Sequence, residues 1–211
     1  MFWNNDRESF LREMGDFMDG CGRRPKGTKV YLSKLRHLLE SNYSVNDLCG
    51  AVDQLILDYS NGGRFYDPQD HNNTRSVLLQ VRALLLQKLQ AQMGPVRISW
   101  DKGWQSFRPV EPHMVGYCLE GAAVTARYSD VGHEETRELT VNQLQELMYI
   151  LKKAKALGTF GHSNTAIRTA HGPICTYAYD YDGESGRDCC EVFTDEDLME
   201  DFCRLMKTVL A

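Results

Sequence analysis

Apolar residues recur along the first half of the chain at the spacing of a helix face, and along the second half mostly at alternate positions. Phe10, Leu11, Met14, Phe17 and Met18 mark one face of a helix over residues 6–19, closed by Gly20 and Gly22. Val30, Leu32, Leu35, Leu38 and Leu39 predict a second helix from about Thr28. Ser44, with Asp47 three residues on, opens a third that buries Leu48, Val52, Leu55 and Ile56. Residues 60–73 are polar and read as a long loop. Val77, Leu78, Val81, Leu84, Leu85 and Leu89 predict a fourth helix over about 74–93, stopped by Gly94-Pro95. Residues 1–94 are therefore expected to form a small bundle of about four helices.

Beyond Gly94 the period changes to two. Val96–Trp100, a turn at Asp101–Gly103 and Trp104–Phe107 read as a hairpin. Met114–Leu119 and Ala122–Tyr128 are further strands. Cys175, Tyr177, Tyr179 and Tyr181 share one strand face, and Thr176, Ala178, Asp180 and Asp182 the other. Two stretches, from Ala123 to Leu151 and from Tyr177 to Leu205, match at an offset of 54 residues. Gly132 and Gly186 mark their turns, Thr140 and Thr194 their helix starts, and Leu144, Met148 and Leu151 align with Leu198, Phe202 and Leu205. The expected fold class is α+β. The bundle is followed, over 95–211, by an antiparallel sheet of about six strands with two helices on one face. That domain is read as a duplicated β-β-β-α unit, about 114–157 and 166–211, with pseudo-twofold symmetry.

Composition adds limits. Apolar content of 42% and charged content of 25% fit a soluble globular chain, and no window reaches a membrane span. The opening Met1-Phe-Trp-Asn-Asn-Asp has neither a basic nor an apolar region, so no secretory signal is expected. Seven scattered cysteines suit a reducing cytoplasm, and six of them are read as small core residues. The net charge of −5 is unevenly placed: +1 over residues 1–94 and −6 over 95–211. Six basic residues and no acid lie between Arg23 and Arg36, and ten acids with one base between Asp180 and Asp201.

Candidate chemistry is sparse. Asp180–Glu184 resembles part of a calcium loop, but its first and last ligand positions fall on Ala178 and Cys189, so it is read as an acidic hairpin turn. No cysteine or histidine spacing supports a metal site, and no cofactor motif is present, so neither is expected. The Gly158–Thr165 loop has no phosphate-binding spacing and reads as a linker. His162, His171 and Cys175 fall close in sequence, but Cys175 is read as a buried structural thiol.

The reading that results is a cytoplasmic protein–protein interaction module, an adaptor, inhibitor or immunity-type factor. It would use an acidic and aromatic surface: Trp100, Trp104, Phe107, Asp180, Asp182, Glu184 and Asp188, facing a partner with a basic surface. Two alternatives stand beside it. One is an enzyme with a His/Cys-containing site in the cleft between the two domains, near His71, His162 and His171. The other is a nucleic-acid-binding regulator using Arg23, Arg24, Lys26 and Lys29. No membrane partner is expected.

Overall fold

The computed structural model describes residues 2–69, 71–102, 113–130, 132–162 and 175–211, with His71 and Asn72 described by backbone alone. The chain divides into two compact units, Met1–Lys88 and Leu89–Ala211. Four helices form where the apolar periodicity puts them: α1 (Arg7–Gly20), α2 (Pro25–Ser41), α3 (Val45–Asp58) and α4 (His71–Met93). The Asp6 carboxylate accepts from the Ser9 N–H to start α1, and Ser44 and Asp47 form a reciprocal capping box at α3. α2 begins at Pro25, earlier than Thr28, because a fixed φ and a missing N–H suit the first helical position. α4 begins at His71, so the polar loop is shorter than its composition suggests.

In the first unit the apolar stripes meet in one core of Phe10, Met14 and Met18 from α1, Leu35 from α2, Leu48 and Val52 from α3, and Val77, Leu78 and Val81 from α4. Each fully buried side chain of this size stabilises the fold by roughly 1.5–3 kcal/mol. Trp3 joins them, its ring centroid 4.6 Å from that of Phe10. Arg82 Nε donates to Asp53 Oδ1 at 3.0 Å, tying α4 to α3.

The second unit contains β1 (Val96–Asp101), β2 (Met114–Glu120), β3 (Ala123–Tyr128), β4 (Glu134–Glu138), β5 (Thr176–Tyr181) and β6 (Glu184–Cys189), with α5 (Val141–Leu157) and α6 (Glu196–Leu210). The strands form one antiparallel sheet in the order β4-β3-β2-β1-β5-β6. The described part of β1 pairs on both sides, with β2 and with β5; Trp104, Phe107 and the start of the second expected repeat unit, from residue 166, lie outside the described residues. Halves β4-β3-β2 and β1-β5-β6 meet at the β2/β1 seam. β3-β4 leads into α5 as β5-β6 leads into α6.

Alternation builds the core. Val124, Leu119, Ile98 and Tyr179 lie in one row across β3, β2, β1 and β5, and Ala126, Tyr117, Trp100 and Tyr177 in the next. α5 and α6 cover this face with Leu144, Leu147, Leu151, Leu198, Phe202 and Leu205, all buried. Arg137 on β4 donates to the Val209 carbonyl of α6 at 3.4 Å.

Two details of the predicted repeat are corrected. The β5–β6 turn is Asp182-Gly183, both at positive φ, and Gly186 sits inside β6. There the Tyr179 ring lies across it: a Cβ at Gly186 would be 2.6 Å from that ring. Thr140 caps α5, but Asp195 caps α6, its side chain accepting from the Leu198 N–H. The Thr194 hydroxyl is taken by the Thr159 carbonyl at 3.1 Å.

Phe202 is wholly buried and meets Phe193 edge-on at 5.7 Å. Phe202→Ala is expected to lower unfolding free energy by about 3–5 kcal/mol in urea titration, and a loss under about 1 kcal/mol would contradict this packing.

Candidate functional site

The other parity of the same strands faces away from α5 and α6. Its middle row holds small side chains: Thr136, Thr125, Cys118, Ser99 and Ala178 on β4, β3, β2, β1 and β5. Two residues away along each strand, one flanking row carries Glu138, Glu120, Arg97 and Asp180. The opposite row carries Glu134, Arg127, Gly116 and Asp101. All the charged members are exposed. The result is a trough with a floor of small side chains. At about 3.4 Å per residue its walls stand about 14 Å apart, and four strand spacings make it about 19 Å long.

Glycine shapes one wall. Arg127 on β3 reaches over Gly116 on β2 to Asp101 on β1, Nη2 to Oδ2 at 2.9 Å. A Cβ at Gly116 would lie 2.6 Å from Arg127 Nη2 and 2.8 Å from the Trp100 carbonyl, so only glycine leaves the bridge its path. On the other wall Arg97 lies near Glu120 and the Cys118 thiol, which together favour its charged form. The Thr125 and Thr136 hydroxyls bond across the floor at 3.0 Å. Five wall carboxylates face two guanidiniums, so the trough is an anionic surface.

Trp100 lies on the opposite, helix-covered face, half-buried and stacked on Tyr117 at 5.7 Å. Burial pushes the Tyr177 phenol up to about 12, and the neighbouring Cys203 adds to that; burial likewise pushes Tyr117 up. Both tyrosines are buried on the helix-covered face. Trp100 and Asp180 therefore lie on opposite faces of the sheet.

Of the acids singled out from the sequence, Asp180 stands in a trough wall. Asp182 is at the β5–β6 turn, bonded to Lys155 of α5. Glu184 is exposed at the start of β6, and Asp188 is exposed near its far end with φ 53°. In the first unit the Arg23 guanidinium sits 4.0 Å over the Tyr31 ring, Arg24 is the residue before α2, and Lys26 and Lys29 are exposed on that helix. His162 is exposed, and His171 and the His71 side chain lie outside the described residues.

The cysteine reading is corrected. All seven thiols are free, but only Cys49 and Cys189 are buried; Cys21, Cys175 and Cys190 are exposed. Cys175 precedes β5, which begins at Thr176, so strand alternation does not carry it inward. Among the described residues no group of three His, Cys, Asp or Glu is placed to hold a metal ion, and no helix is long and apolar enough to cross a membrane.

Sequence reasoning missed Arg97, Asp101, Glu120, Arg127, Glu134 and Glu138. Their signal is a wet-face triplet with a small central residue, as in Arg97-Ser99-Asp101 and Glu134-Thr136-Glu138. No family model, curated protein or solved structure matches this chain.

A second polar cluster sits at the β3–β4 loop. His133 stacks on Tyr128 at 4.6 Å, with Nδ1 3.0 Å from Asp130 and Nε2 3.4 Å from Glu135. The Asp130 hydrogen bond, with Glu135, raises its pKa above the ordinary 6.5. A raised folded-state value means the contribution is full below the unfolded pKa and lost as pH rises through the folded one. His133→Gln is expected to cost thermal stability at about pH 5.5 and little at about pH 8.5, and equal losses at both would contradict the pairing.

Thiol reactivity follows exposure. Cys21, Cys175 and Cys190 are expected to take iodoacetamide in the native protein before Cys49, whose burial pushes its pKa to about 12. Peptide mass mapping reads the order, and early labelling of Cys49 would contradict it.

Proposed function

We propose that the protein is a non-enzymatic binding module whose acidic trough takes a cationic helix of another protein. The observation that carries this reading is the strand register, which aligns five carboxylates along two walls over a floor of small residues. A helix about 10 Å across fits between walls about 14 Å apart. Thr, Ser, Cys and Ala on the floor allow close approach, and Lys or Arg side chains reach either wall. Anionic walls speed encounter with a cationic partner and disfavour anionic ones. The biological role is that of an adaptor or inhibitor, acting by occupying the partner's basic helix. Seven free thiols fit a reducing compartment, and the cytoplasm is the proposed location. Within the proposed acidic and aromatic surface the trough is favoured as the docking part, since it holds Asp180 while Trp100 lies on the other face of the sheet and Trp104 and Phe107 lie outside the described residues.

A helical peptide of about 13 residues, the length that spans about 19 Å, bearing Lys three and four positions apart is the direct probe. It is expected to bind at about 50 mM salt and to weaken at least about tenfold by about 0.3 M. E120K/D180K is expected to abolish binding in fluorescence anisotropy. Binding that survives this reversal contradicts the proposal.

A further inference from the structure

The partner chemistry that the trough selects is present on the first unit of this same chain. α2 carries no acid before Glu40. Its exposed side presents Lys26, Lys29, Val30, Ser33 and His37 along successive turns. Two other cations nearby are engaged: Arg36 pairs with Glu8 at 2.8 Å and Arg23 stacks on Tyr31. Lys26 and Lys29 have no ion pair among the described residues. Val30 is 46% exposed in the middle of the stripe, beside a shallow depression lined by Lys29, Ser33, Lys34 and His37.

We infer that α2 of one copy seats in the trough of a second copy, so that the protein associates with itself. This rests on the trough reading above and names the occupant. α2 has 17 residues, so it is about 25 Å long and spans the trough's roughly 19 Å. Charge sign matches: two lysines without ion pairs against walls that include Glu120 and Asp180. Shape and polarity match as well. The exposed Val30 lies over the floor of Ser99, Cys118 and Thr125, where a methyl-bearing side chain meets small ones without stranding a charge. A phosphate backbone suits the stripe less well. It gains nothing from Val30, and a chain of net charge −5 repels it.

The test is sedimentation velocity on the full chain at about 50 mM and about 0.5 M salt, where screening shortens the reach of charge from about 14 Å to about 4 Å. Mass is expected to rise above 24.1 kDa with concentration at low salt and to return to the monomer at high salt. K26E/K29E alone and E120K/D180K alone are each expected to be monomeric, because one has two acidic surfaces and the other two basic ones. Mixing the two variants is expected to restore association, which non-specific loss of folding cannot do. A parent chain that stays monomeric at low salt overturns the inference, as does association that both charge reversals leave unchanged. A monomeric parent that still binds the lysine peptide overturns self-docking alone. If E120K/D180K keeps the peptide, the trough reading itself is overturned.

Discussion

The second unit depends on the pairing of β1 along both of its edges. β1 is the strand through which β4-β3-β2 and β5-β6 become one sheet. Its alternation sends Val96, Ile98 and Trp100 toward α5 and α6, and Arg97, Ser99 and Asp101 to the open side. A slip of one residue would exchange the two sets, placing Arg97 and Asp101 under the helices. Magnitudes show what holds the register. Ile98, Leu119 and Tyr179 are buried in one row, and side chains of this kind are worth roughly 1.5–3 kcal/mol each. The Arg127–Asp101 bridge is exposed, and such bridges contribute about 0–1 kcal/mol. The core fixes the register, and the trough follows as its other face.

The edges of the sheet are built against strand addition, which is why a face is proposed as the docking surface. β4 reads Glu134-Glu-Thr-Arg-Glu138, so charge guards one edge. β6 carries a register shift opposite β5, and Asp188 has φ 53°, which twists the other edge out of ladder geometry. Strand addition is disfavoured at both, while the open face offers a regular floor across five strands.

Local signals in the sequence carried most of the architecture. The four N-terminal helices follow from their apolar period, and the Ser44 and Thr140 caps from side chains that accept from N–H groups three residues on. Tyr177, Tyr179 and Tyr181 are buried as their alternation predicts. What failed was non-local. An offset of 54 residues aligned Gly132 with Gly186, but the turn went to Asp182-Gly183, where a two-residue hairpin is tightest. Thr194 lost its cap to Asp195 because the Thr159 carbonyl claims its hydroxyl. The trough itself was hidden for the same reason. Alternation shows that Arg97 and Asp101 are wet. Only the pairing of β1 with β5, about eighty residues on, shows that Asp180 stands beside Arg97.

The most direct measurement is amide chemical-shift mapping of the second unit's residues, in the whole protein, during titration with a lysine-bearing helix. The largest changes are expected to run across the sheet through Ser99, Cys118, Thr125 and Thr136, with α5 and α6 little affected. Changes concentrated on α5, α6 or the β4 and β6 edges, with those four amides unmoved, would contradict it.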